Sequence, residues 1–238
     1  MEFKETLRRF TRGDEIMKKL LVQGLCKYCI VLLFFVIILF VPAGTFKYWN
    51  GWVLIAALFV PMLIVGIVLM IKNPELLRKR LNAKEEQDVQ KVVVALSGIM
   101  FLSAFIVAGL NYRFGWLVVP RWVVIVGTVV FLMAYVMYGE VLRENTYLSR
   151  TIEVQENQKV IDTGLYGIIR HPMYSATLFL FLSMGMVLGS PISFVILLFY
   201  VPIISKRMKN EEKVLEEELE GYATYKTKVK YKVIPFIW

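Results

Sequence analysis

Five long apolar stretches without a charged residue dominate the chain: Tyr28 to Phe46, Tyr48 to Ile71, Val92 to Tyr112, Trp122 to Gly139 and Pro172 to Ser205. Apolar residues run through them continuously instead of alternating, which predicts helices and not barrel strands. In hydrocarbon a helix satisfies its own backbone hydrogen bonds, so this pattern reads as membrane spans. The first four are each close to the roughly 20 residues that cross a bilayer. The fifth, at 34 residues, is too long for one ordinary span. Gly189, Ser190 and Pro191 near its middle are turn residues, so a tight hairpin with short arms is predicted.

Polar segments punctuate these spans. Residues 1–19 mix charges with Phe3, Leu7, Phe10 and Ile16. They suit either an amphipathic surface helix or a solvated tail that only sets topology. The stretch from Lys72 to Lys91 starts with a proline stop and reads as a helical loop without evident chemistry. Residues 143–171 form a mixed polar segment, predicted to be extended or looped. After the hairpin, SKRMKNEEKVLEEELEG reads as a separate polar helix. Arg207, Glu211 and Leu215 share a face there, Lys213 pairs with Glu217, and Gly221 ends it. In the tail, Lys alternates with Val or Tyr before Phe236 and Trp238, which suits a membrane interface with aromatics inward. The expected fold is all-α: a multi-pass membrane bundle of four spans (1–142), then a part (143–238) with the hairpin and a cytosolic helix.

Composition agrees with a membrane protein. At 58% hydrophobic residues over 238 positions and a mean hydropathy of +0.60, polar residues are too few to cover a soluble globule. A net charge of +9 would suggest nucleic acid in a soluble protein, but its distribution points elsewhere. Six Lys or Arg lie in 1–19, six from Lys72 to Lys91, four from Arg143 to Arg170 and eight after Ser205, with only Lys47, Arg113 and Arg121 in the alternate loops. By the positive-inside rule both termini and the His171 segment face the cytoplasm, and no nucleic-acid partner is expected. Cys26 and Cys29 are spaced CxxC without a second pair or nearby histidine, so helix packing is the preferred reading over redox or metal chemistry. Pro61 and Gly66 either kink their helix or serve ordinary span packing. The first apolar run is long enough to span, so no cleavable leader is read. No internal repeat and no GxGxxG are visible, which weighs against an inverted-repeat transporter and a dinucleotide fold.

The candidate chemistry sits at the mouth of the fifth stretch, in GLYGIIRHPMYSA, which contains His171, the only histidine. Ionisable groups at a membrane boundary are costly unless they hold something. Pro172 suits the first turn of a helix, and helix N-termini favour anionic groups. If the hairpin folds back, His171 and Tyr174 approach Arg207 and Glu211. Plainer roles remain open: a satisfied interfacial histidine, a topology-setting Arg170, and an exposed Arg207/Glu211 pair.

GLYGIIRHPMY followed by KRMKNEEKVL and GYATYKTKVKYKVIPFIW, with RENTYLSRTIEVQENQKVIDTG before them, resembles the isoprenylcysteine carboxyl methyltransferase family in its bacterial members. The resemblance covers residues 143–238 and extends to the first four spans only in hydropathy. It implies a membrane-embedded methyltransferase that uses S-adenosyl-L-methionine without a Rossmann domain. It further implies cofactor contacts from Gln155, Gln158, Lys159, Val160, Ile161, Tyr166, His171, Pro172, Met173, Tyr174 and Glu211, with Arg207 facing the substrate as the catalytic residue. The sequence departs from the family at Ala176, where a glycine is usual. A lipophilic or lipidated acceptor is expected from the cytoplasmic leaflet, a carboxylate first, with phospholipid amines and thiols as alternatives. For an amine or thiol acceptor His171 or Glu212 is the candidate base. The second enzyme reading is an NADPH-dependent reductase of the steroid-reductase kind, with Arg170, Lys206 and Arg207 on the phosphate.

Overall fold

A computed structural model describes residues 2–82, 88–148 and 154–238, with the side chains of 2–16, 79, 80, 82 and 88–90 excepted. Its helices are α1 (Glu2–Ala43), α2 (Trp49–Lys72), α3 (Pro74–Asn82), α4 (Asp88–Phe114), α5 (Arg121–Glu144), α6 (Pro172–Val187), α7 (Pro191–Leu197), α8 (Tyr200–Glu218) and α9 (Tyr222–Lys228). Among the described residues there is no strand, only a single parallel bridge between Ile169 and Tyr231. Met17–Ala43, Trp49–Lys72, Lys91–Phe114, Arg121–Glu144 and Pro191–Glu218 are long and apolar enough to cross a membrane, and α6 is a shorter apolar helix. The protein is a multi-pass membrane helical bundle.

Three boundaries differ from the sequence reading. The N-terminal segment and first span are one helix, α1; the apolar face proposed for Phe3, Leu7, Phe10 and Ile16 lies outside the described side chains. The polar helix after the hairpin is not separate either. α8 begins at Tyr200 inside the apolar stretch and continues unbroken into the charged turns to Glu218. Pro202 falls in its first turn, where a proline removes no helical hydrogen bond, and the interruption comes earlier, at Leu198 and Phe199. Finally, α8 ends at Glu218, before Gly221. Gly221 adopts φ +85°, a left-handed conformation that turns the chain into α9.

Close helix contacts use small residues, as lipid-embedded bundles require. A Cβ on Gly127 of α5 would lie 2.6 Å from Met186 Cβ of α6, and one on Gly185 would lie 2.6 Å from Phe194 Cα of α7. Gly109 of α4 meets the Leu39 carbonyl of α1 in the same way, at 2.8 Å. Around Pro61, α2 stays continuous, and the Leu58 and Phe59 carbonyls accept hydroxyls from Tyr135 at 3.3 Å and Tyr28 at 3.2 Å. Neighbouring helices thus supply polar partners beside the proline. Cys26 and Cys29 are exposed on α1, so they do not pack into the bundle as the sequence suggested.

The hairpin turn forms where Gly189, Ser190 and Pro191 predict it. Gly189 takes φ +64°, and the Ser190 hydroxyl caps α7 by accepting from Ser193 N at 3.3 Å. Tyr48 donates to the Leu188 carbonyl at 2.7 Å and Asn50 to that of Val187 at 3.1 Å, locking the α1–α2 turn onto this end. α6 runs from there back to the charged end of the bundle, where α8, α9 and residues 145–148 and 154–171 gather.

Candidate functional site

His171 is the residue before α6 and Pro172 is its first residue. The segment leading to them turns through a 3₁₀ helix at Gly164–Gly167, then pairs with the C-terminal tail. Arg170 N donates to Tyr231 O at 2.9 Å, His171 N to Lys232 O at 2.8 Å, and the Ser175 hydroxyl to Val233 O at 2.5 Å. The tail is therefore laid along the mouth of α6, with Val233 buried. Phe236 lies on the surface of the bundle, 86% exposed.

One buried carboxylate organises this layer. Glu212 Oε1 accepts from Arg170 Nε at 2.9 Å and lies 3.2 Å from His171 Nε2, while Oε2 accepts from Lys232 Nζ at 2.6 Å. The same Arg170 guanidinium also donates to the Val229 and Lys230 carbonyls, at 2.7 and 2.8 Å. A buried charge is tolerated only when so fully partnered. Arg170 is thus a clamp on the tail, committed to partners in the protein. Glu212 is buried, and among the described residues it pairs with Arg170, His171 and Lys232, which commits its oxygens to the protein.

The neighbouring acid, Glu211, faces the other way. Tyr174 donates its hydroxyl to Glu211 Oε2 and receives Arg207 Nε at 3.0 Å; His171 Nδ1 lies 4.0 Å from Glu211 Oε1. The folded-back hairpin thus joins all four of these residues. They line a cleft with about 850 Å³ of empty space, partly open to solvent. Gln158, Lys159, Val160 and Ile161 form part of its wall, with Tyr166 and Met173 beside them.

Two expected contacts do not line it. Gln155 braces the loop, its backbone N–H donating to Gln158 Oε1 and its amide to Tyr147 O at 2.7 Å. Pro172 is fully buried at the start of α6.

The cleft also has walls that single-residue patterns did not announce: Asn145, Tyr147 and Leu148 after α5, Leu215 and Leu219 on and after α8, and Tyr222 and Tyr225 on α9. Leu215 was legible as one turn beyond Glu211. The two tyrosines, three residues apart, share a helix face once α9 forms. Burial pushes the hydroxyls of Tyr222 and Tyr225 well above the usual tyrosine range. For Tyr166 burial is again the main cause, and the Glu211 and Glu144 carboxylates add to it against a partly offsetting hydrogen bond from Asn145. The result is a pKa pushed up to about 12. These phenols stay protonated at neutral pH. Tyr225 donates to Tyr166 O at 2.7 Å, whereas the buried Tyr222 hydroxyl has no hydrogen-bond partner among the described residues.

The arrangement presents an acid and a cation side by side, donors from several elements, and an aliphatic flank from Val160, Leu215 and Leu219. That suits a ligand with both charged and apolar parts. No curated protein matches the chain. Residues 122–217, from the first turn of α5 to the last turn of α8, match the family model described as Isoprenylcysteine carboxyl methyltransferase (ICMT) family. This segment, which carries the Arg-His-Pro element and the Arg207/Glu211 pair, is similar to the isoprenylcysteine carboxyl methyltransferase family of membrane methyltransferases.

Proposed function

We propose that this protein transfers a methyl group from S-adenosyl-L-methionine to the carboxylate of a lipophilic acceptor, at the cytoplasmic edge of the membrane. Residues 143–238 carry the chemistry on a scaffold made by 1–142. The observation that carries the reading is the convergence of Arg207 and Glu211 on the Tyr174 hydroxyl at the rim of the cleft. The orphaned Tyr222 hydroxyl in its wall is the kind of buried donor that a ligand satisfies. The residues present therefore fit the cofactor.

Gln158, Lys159, Val160 and Ile161 would hold it from the loop side, Tyr166, His171, Met173 and Tyr174 from the mouth of α6, and Glu211 from α8. When bound, the cofactor supplies the methyl group on a cationic sulfur. An acceptor carboxylate is already ionised at neutral pH, so the chain has to orient it and exclude water, with no proton to remove. Arg207 supplies a planar guanidinium for that orientation, held by Tyr174. Leu215, Leu219 and Val160 keep this wall apolar, which favours meeting of opposite charges over their separate hydration. Glu212, an acceptor only, favours a proton on His171 Nε2 that hydrogen-bonds to its Oε1, with Nδ1 turned toward Glu211.

Calorimetric titration of the purified protein with S-adenosylhomocysteine and with NADPH tests this. Binding of the first alone is expected, and binding of NADPH alone overturns the reading. Glu211→Ala is expected to weaken S-adenosylhomocysteine binding by about 2 kcal/mol, roughly thirtyfold. Arg207→Ala is expected to keep that affinity while losing turnover. Unchanged affinity in Glu211→Ala removes the acid from the cofactor site.

A further inference from the structure

Asn145 follows the last residue of α5 and lines the cleft. Its side-chain amide is held at both ends. Oδ1 accepts the Tyr147 backbone N–H at 3.0 Å, a local turn that only the oxygen can make. That contact decides which end of the amide faces Tyr166, because oxygen and nitrogen are otherwise interchangeable in shape. Nδ2 therefore points at Tyr166 and donates to its hydroxyl oxygen at 3.0 Å. The Tyr166 backbone is anchored as well, since Tyr225 donates to its carbonyl at 2.7 Å. Among the described residues no carboxylate or carbonyl accepts the Tyr166 O–H, and Tyr166 lines the cleft.

We propose that Asn145 sets the polarity of the Tyr166 hydroxyl: by occupying its oxygen with a donor, it leaves the O–H to donate to an acceptor atom of the ligand in the cleft. Such atoms are a ribose oxygen, a carboxylate oxygen or an adenine nitrogen. Asn145 is then a positioning residue for cofactor recognition, acting through Tyr166. The inference rests on the cofactor reading above.

Asn145→Asp is the near-isosteric test, because its second carboxylate oxygen would take the Tyr166 proton and turn a lone pair toward the ligand. Titration with S-adenosylhomocysteine should show binding weakened roughly tenfold in Asn145→Asp and similarly in Tyr166→Phe. The double variant should bind as Tyr166→Phe alone does, because there is no longer a hydroxyl to misdirect. If Asn145→Asp does not yield folded protein, Asn145→Ser, which loses the amide donor, takes its place in the same cycle. Wild-type affinity in the Asn145 variant overturns the inference. So does a loss equally large in the Tyr166→Phe background, which would mean that the added charge or a local fold defect acts without the hydroxyl. Absence of binding by the wild-type protein overturns the cofactor reading and this inference together; wild-type binding without coupling overturns the inference alone.

Discussion

Replacing Glu212 by alanine removes the acceptor of three cationic or imidazole groups at once, yet they are not of equal weight. The Lys232 side chain is 28% exposed, so its ammonium can turn to water and its loss counts for little. The Arg170 side chain is only 5% exposed. It keeps the Val229 and Lys230 carbonyls but loses its counter-charge. Breaking a buried pair by deleting one partner costs about 3–5 kcal/mol, most of it the uncompensated charge left behind. The damage should be local first. Arg170 and Lys232 pin the tail, so its release should precede opening of the bundle. Thermal unfolding in detergent measures the size of the effect. Brief trypsin digestion measures its place, with cleavage after Lys230 and Lys232 rising ahead of cleavage elsewhere. Glu212→Gln should lose less than half as much, because an amide oxygen still accepts from Arg170. The double variant Arg170→Met, Glu212→Leu should be more stable than Glu212→Ala, since it leaves no buried charge unpaired. Stability of Glu212→Ala within about 0.5 kcal/mol of wild type, the spread of ordinary surface changes, would refute this account. A double variant destabilised by the sum of its singles would do the same.

Gly127→Ala places a methyl 2.6 Å from Met186 Cβ and should lower stability by about 1–3 kcal/mol through overpacking of α5 on α6. Gly139→Ala, where nothing lies within 4 Å, is the control and should be neutral or stabilising in the same melting experiment. Alkaline titration checks the buried phenols. With Tyr166 raised from 10.0 to about 12, the unfolded chain loses a proton that the folded one keeps, so its contribution to stability is full below pH 10 and declines as pH rises toward 12. The wild-type minus Tyr166→Phe difference in tyrosinate absorbance should be absent at pH 10; tyrosinate there at its ordinary value would count against burial of this group.

Much of the bundle was legible because the bilayer leaves few choices. Continuous apolar runs mean helices, and Gly189, Ser190 and Pro191 each contribute a distinct local reason for the turn. What escaped was decided by contacts distant in sequence. The alternation of Lys with Val or Tyr in the tail suited an interface and did not announce the helix at Tyr222–Lys228. Tyr222 and Tyr225 pack with Leu219, Val160 and Val154, and that burial outweighs the β preference of single residues. The separation of α8 from the hairpin was likewise expected from a change in composition at Ser205. Composition changes the solvent of a helix without breaking its hydrogen bonds, so α8 runs on.

The same distinction explains which parts of the site could be read. His171, Tyr174, Arg207 and Glu211 are chemically conspicuous and lie on two adjacent helices, so a folded-back hairpin was enough to join them. Their supports are inconspicuous: an asparagine after α5, a second glutamate, backbone carbonyls of the tail. Two adjacent acids on α8 point in different directions, one to each side of His171, because a helix turns by about 100° per residue. Glu212 therefore binds inward to the tail clamp while Glu211 faces the cleft. Exchanging their environments would bury the recognition acid and expose the clamp. The tail behind the cleft is joined to the core through Val233, Ile234 and Trp238, and one buried, triply satisfied carboxylate adds an orientation that this packing alone would not specify.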